Sequence, residues 1–162
     1  MPLTADERAA LIRRYAEGPA KLRAAFEKMP AAARQWRPAP DKWSAHEVVV
    51  HCADSESNAA LRIRYLGAEK EPLIVGYDQE QWAKTFDYHG HPVDLALATV
   101  EAVRANTVPL LGRLPAETWT REGKHTESGR YTGDDWLNTY ASHLEGHARQ
   151  IERNLEAWSA RK

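Results

Sequence analysis

The stretch that decides the fold is Trp136 to Leu155, WLNTYASHLEGHARQIERNL. A helical chain turns about 100° per residue, so residues four apart stack on one face. With Tyr140 as the reference direction, Trp136, Leu144, His147, Ile151, Leu155 and Trp158 all fall within about 60° of it, the stripe of a core-facing helix. His147 lies inside that stripe and His143 at its edge. Two imidazoles aimed at an apolar interior need partners, since an unpaired buried polar group costs about 1 to 3 kcal/mol. A shared divalent metal satisfies both at once; hydrogen bonds to neighbouring groups are the structural alternative. Leu144 stands where a zinc-protease helix carries its general-base Glu, so the pair is not a zincin motif.

Working outward, three more helices are predicted. Thr4 and Glu7 form a capping box ahead of Leu11, Ile12, Tyr15, Leu22 and Phe26, which places the first helix at Ala5 to Lys28. Gly18-Pro19 predicts a kink or break inside it, because proline removes a backbone donor and crowds the preceding turn. Pro30 starts a short helical turn through Gln35, and a connector bracketed by Trp36 and Trp43 follows. Ser44 and Glu47 form a second capping box, opening a helix from Ala45 to Leu66 with Val48, Cys52, Ala59, Ile63 and Leu66 on its inner face. His51, Ser55, Asn58 and Arg62 run along its edge. That edge reads either as a solvated boundary or as the wall of a pocket floored by His51.

Between Ala68 and Pro92 the period lapses, apart from a short helical piece at Gln79 to Thr85. His89 and His91 lie there in a turn-like HGHP and read as an exposed loop. A third long helix runs from Val93 to Leu114, with Leu95, Ala98, Ala102 and Leu110 as its expected inner face and Pro109 bending its last turns. Pro115 to Tyr131 reads as an ordered loop with a short extended pair. Thr132 and Asp135 then cap the final helix, which starts at Gly133 or Asp134 and runs to about Trp158. The expected architecture is all-α: one domain over residues 1–162, a four-helix bundle. Its long link of about 25 residues lets the second and third long helices run parallel, up-down-down-up.

The balance of 22 Lys+Arg against 23 Asp+Glu, with no dense basic run, offers little to a phosphate backbone or an anionic membrane. One cysteine, Cys52, rules out an intramolecular disulfide and suits a reducing compartment. No segment approaches the roughly 18 continuous apolar residues of a membrane span. These features lead to the expectation of a cytoplasmic protein with no nucleic-acid or membrane partner.

The segment KWSAHEVVVHCADSE, Lys42 to Glu56, taken together with HLEGHARQI, His143 to Ile151, resembles the DinB-like family and its YfiT-type metal-binding members. The resemblance covers nearly the whole chain. It implies a bundle with the same long crossover and three metal ligands on His51, His143 and His147. Cys52 follows the first of these but turns about 100° away from it on the helix, so a buried thiol is expected. Some relatives are transferases or isomerases acting with low-molecular-weight thiols such as mycothiol or bacillithiol, and a homodimer is a further expectation.

Three imidazoles on one ion leave at least one coordination position open, as in catalytic zinc sites. Zinc and nickel both suit such ligands. Water at the open position leads to hydrolysis; a small-molecule thiol leads to S-transfer onto an electrophile. Ser55, Asn58 and Arg62 are the candidate substrate-binding residues. The alternative is a non-enzymatic metal-binding stress or interaction protein.

Overall fold

The computed structural model describes residues 2–161. Its five helices are α1 (Ala5–Glu27), α2 (Ala45–Ala68), the short α3 (Gln79–Thr85), α4 (Val93–Leu111) and α5 (Gly133–Ser159). All three expected capping boxes are formed. The side chains of Thr4, Ser44 and Thr132 accept from the backbone N–H of Glu7, Glu47 and Asp135, whose carboxylates reach back to the cap. Each such cap stabilises its helix by about 1 kcal/mol.

The long helices form a four-membered bundle. Arg8 pairs with Asp134, and Arg14 with Glu145, so α1 and α5 start at the same end and run parallel. His51 lies beside His147 and Arg62 beside Tyr140, which makes α2 antiparallel to α5. Val48 and Val49 share one apolar cluster with Ala96 and Leu97, while Ile63 and Leu66 share a second with Leu111. Helices α2 and α4 are therefore parallel, as the length of their connection predicted.

That connection, residues 69–92, is structured. Asp78 caps α3, and the two-residue strand β1 (Leu73–Ile74) pairs in parallel with β2 (Gly123–His125), which pairs antiparallel with β3 (Gly129–Tyr131). Gly129, at φ +79°, closes the β2–β3 turn in a conformation that a Cβ would disfavour.

Two local readings are refined. Of the kink or break expected at Gly18-Pro19, the break does not occur: helix α1 passes through Pro19. A proline there leaves the carbonyl of Tyr15, four residues earlier, without its helical donor. Arg104 of α4 fills the gap, its Nη1 donating to Tyr15 O at 2.5 Å. Helix α4 also presents a different face from the one expected: Leu95, Ala98 and Ala102 are exposed and Leu110 is half-buried, whereas Ala96, Leu97, Val100, Arg104, Thr107 and Leu111 are buried. Apolar residues surround this helix almost completely, so their period carries little direction.

The buried Arg104 is one end of a polar belt across the bundle. Its Nε and Nη2 donate to the two carboxylate oxygens of Glu56 at 2.7 and 2.6 Å, and Nη2 also donates to Tyr140 O at 3.0 Å. The guanidinium lies 3.6 Å from the centre of the Tyr15 ring. Gly18 makes room for this crossing, since a Cβ there would meet Leu144 Cβ at 3.0 Å and Arg104 Nη1 at 3.2 Å. One apolar cluster, with Cys52, Val100 and Leu144, lies on one side of the belt; the other, with Ala59, Leu111 and Trp136, lies on the far side.

Candidate metal centre

At the edge of this belt, His51 of α2 and His143 and His147 of α5 come together. One nitrogen from each lies within 4.8 Å of the others. His51 is 1% exposed, and its ring is covered by Trp43, whose centroid lies 4.8 Å away. His143 keeps 17% of its side-chain surface, so solvent reaches the centre from that side.

Neighbouring residues fix which nitrogen of each ring carries a hydrogen. His143 Nδ1 lies 2.9 Å from Glu56 Oε1. Burial pushes the Glu56 carboxyl upward, but the hydrogen bond from His143 and the Arg104 charge outweigh it and hold it below its ordinary value. Glu56 is thus a carboxylate and can only accept, so His143 Nδ1 donates and Nε2 is left with a lone pair. His147 Nδ1 similarly faces the Gln150 amide oxygen at 2.9 Å, which leaves its Nε2 as an acceptor too. The two Nε2 atoms are 3.2 Å apart. Two lone pairs at that separation repel each other unless a cation lies between them.

A divalent ion fits this arrangement. Nitrogens bound tetrahedrally at about 2.0 to 2.1 Å from zinc are roughly 3.3 to 3.4 Å apart, close to the spacing on α5. The third ring supports the same reading, because His51 Nδ1 is buried with no hydrogen-bond partner among the described residues. Burial, reinforced by the neighbouring His147 and His143, depresses His51 to about 2. Burial and then His143 bring His147 to about 4. Both rings are neutral at pH 7, so neither need lose a proton to take a metal.

The proposed substrate edge is only partly assembled. Ser55 Oγ reaches to 3.5 Å from His143 Nε2, and Arg62 donates to the Tyr140 hydroxyl at 2.9 Å. Asn58 instead turns back onto its own helix, its Nδ2 donating to Asp54 O at 2.9 Å. Cys52 is fully buried on the apolar side, and burial raises its thiol well above the usual range. His89 and His91 are not part of the triad: His89 Nε2 lies 2.8 Å from Ser44 Oγ, and the His91 carbonyl is 2.9 Å from His46 Nε2.

The sequence reading gave no role to Glu56, Arg104, Gln150 or Tyr140 at this site. For the first two a signal existed. Glu56 occupies the missing position in the face Cys52, Ala59, Ile63, and Arg104 continues the spacing of Leu97 and Val100.

Comparison with known proteins agrees with this geometry. Residues 14–151 match the DinB superfamily, and the chain belongs to that family. A protein of Oceanobacillus iheyensis, named "Putative metal-dependent hydrolase", is 33% identical over 109 residues, covering 67% of this chain and 63% of its own length. A Bacillus cereus protein of the same name is 32% identical over 109 residues, covering 67% of this chain and 62% of its own. The matched stretch thus spans somewhat less than two thirds of these relatives. Among solved structures, YfiT from Bacillus subtilis superposes with a TM-score of 0.89 over 97% of this chain and 90% of its own, at 24% identity. YfiT is described as a probable metal-dependent hydrolase with an unusual four-helix bundle topology, and this chain shares that fold.

Proposed function

We propose that the protein is a metal-dependent hydrolase whose divalent ion is held by His51, His143 and His147. The observation that carries this reading is the pair of Nε2 lone pairs facing each other at 3.2 Å, with the third imidazole beside them. The names of the relatives from Oceanobacillus and Bacillus support the same reaction class.

A divalent ion in this position supplies Lewis acidity toward a carbonyl or phosphoryl oxygen and brings the ionisation of water close to neutral pH. The chain supplies the rest. Glu56 and Gln150 hold the two α5 imidazoles in the tautomer that points Nε2 inward. Trp43 shields His51 from solvent on its far side. Ser55, beside His143 Nε2, offers a hydroxyl to a polar group of the substrate.

Chelator-treated protein reloaded with zinc or nickel should hydrolyse members of an ester and amide panel, and chelation should abolish the activity. His147→Ala should lose bound metal by elemental analysis, whereas His89→Ala should keep it. Equal metal in wild type and His147→Ala, or hydrolysis indifferent to chelation, defeats the reading. Turnover only when a low-molecular-weight thiol and an electrophile are both present would assign S-transfer in place of hydrolysis.

A further inference from the structure

Seven residues beyond Ser55 along α2 lies Arg62, a guanidinium with no acidic partner among the described residues. Arg62 is half-buried. Its Nη1 donates to the Tyr140 hydroxyl at 2.9 Å and its Nη2 to the Val75 carbonyl at 2.7 Å, and the Tyr77 ring centre lies 6.0 Å away. Among the described residues, no carboxylate oxygen comes within 4.0 Å of it. The half-buried Arg34, Arg64 and Arg121 also lack an acidic partner but donate only to backbone carbonyls, whereas Arg62 also donates to a side-chain hydroxyl.

We propose that Arg62 and Tyr140 form a carboxylate-binding subsite, so that the substrate is an ester or amide carrying a carboxylate one to two residues' length from the bond that is cleaved. The position of that bond rests on the hydrolytic reading above; the subsite itself does not. A guanidinium has five N–H donors, and two are engaged here, so three remain for a ligand. Its planar fork matches a carboxylate in two parallel hydrogen bonds. The Tyr140 oxygen accepts from Arg62 and keeps its own hydrogen for a further acceptor.

Tyr140 also sets the distance to the centre. It precedes His143 by three residues, about 4.5 Å along the helix axis, and the two rings are 5.7 Å apart. One to two residues of extended peptide, at roughly 3.8 Å each, span that distance. A carboxylate on Arg62 therefore leaves the neighbouring carbonyl near Ser55 and the histidine triad. The electrostatics agree, since His125 is held below its ordinary value by burial first and by the Arg62 charge second.

The test uses the full chain after chelation, titrated with N-acetylglycine and with its uncharged analogue N-acetylglycinamide, and read by backbone amide NMR shifts. Wild type should bind the carboxylate at least about tenfold more tightly than the amide, on the scale of charge-assisted hydrogen bonds. Arg62→Gln should erase that preference and Arg62→Lys should retain part of it, because charge survives without the fork. Tyr140→Phe should weaken the acid several-fold, with circular dichroism confirming that each variant is folded. His147→Ala, which removes a triad ring, should keep the full preference. Equal affinity for the two probes in wild type overturns the proposal, as does a tenfold preference that survives in Arg62→Gln. Tighter, Arg62-dependent binding of inorganic phosphate would overturn the carboxylate assignment. No metal enters the titration, so a hydrolytically inert protein that keeps the preference supports the subsite while removing the hydrolytic reading.

Discussion

Replacing Arg104 by Met tests whether the polar belt holds the bundle together. Arg104 and Glu56 are 1% and 0% exposed, and two hydrogen bonds of 2.7 and 2.6 Å join them. Methionine approximates the aliphatic stem but leaves the Glu56 carboxylate buried beside one remaining donor, His143. The Tyr15 carbonyl, already without a helical donor because of Pro19, loses its substitute as well. Breaking a buried pair from one side costs about 3 to 5 kcal/mol. For a chain of this size that corresponds to a fall in Tm of roughly 6 to 20 °C. The double variant Arg104→Met/Glu56→Gln no longer strands a charge, so its cost should fall below the sum of the two single variants by about 2 kcal/mol, well outside the roughly 0.5 kcal/mol scatter of independent sites. Urea unfolding of the four metal-free proteins measures the cycle. Additivity within that scatter, or a loss below about 1 kcal/mol for Arg104→Met alone, would refute the idea that Glu56 depends on Arg104 for its charge.

Three further outcomes are expected. Glu56→Gln should weaken metal affinity about 10- to 100-fold in competition with a chromogenic chelator, because the His143 tautomer loses its carboxylate partner; unchanged affinity would show that Glu56 serves packing alone. Asp134 is raised by burial but lowered further by Arg8 and the Leu3 N–H, and its carboxyl lies below the ordinary range. Its stabilising contribution is therefore complete above about pH 4 and lost as pH falls through the depressed value, so unfolding curves of wild type and Asp134→Asn should differ at pH 7 and converge in strong acid. Gly18→Ala should destabilise although Ala favours helices by about 1 kcal/mol, since the new methyl meets Leu144 and Arg104; a raised Tm would contradict the close approach of α1 to α5.

Most of the helical frame was legible because capping is local. Thr4, Ser44 and Thr132 each announce a start three residues ahead of an acid, and the short piece at Gln79 to Thr85 stood out between the breakers Pro72 and Gly76 and the HGHP turn. The parallel course of α2 and α4 followed from the length of one connection. What escaped depends on contacts remote in sequence. Pro19 looked like a helix breaker because its remedy, Arg104, lies 85 positions away. The pairing of β1 with β2 joins residues 51 apart, and no local period encodes it. At the centre, the three histidines stood out through spacing and family resemblance, whereas Glu56 and Gln150 act on tautomers, which only the assembled geometry reveals. Arg62 was visible as an edge residue, but the absence of an acid beside it was not.

The belt of Glu56, Arg104 and His143 also acts on how the helices can slide. The aliphatic residues that α4 places in the two clusters, Leu97 and Val100 in one and Leu111 in the other, tolerate axial displacement, because one Leu or Val substitutes well for another. A charged pair between them does not. A shift of α4 by one turn, about 5.4 Å, would carry the guanidinium off Glu56 and into one of the clusters and strand both charges. The ion pair therefore works as a detent that admits one alignment of α2, α4 and α5. Because Glu56 also holds His143, the alignment that satisfies the charges is the one in which the imidazoles meet.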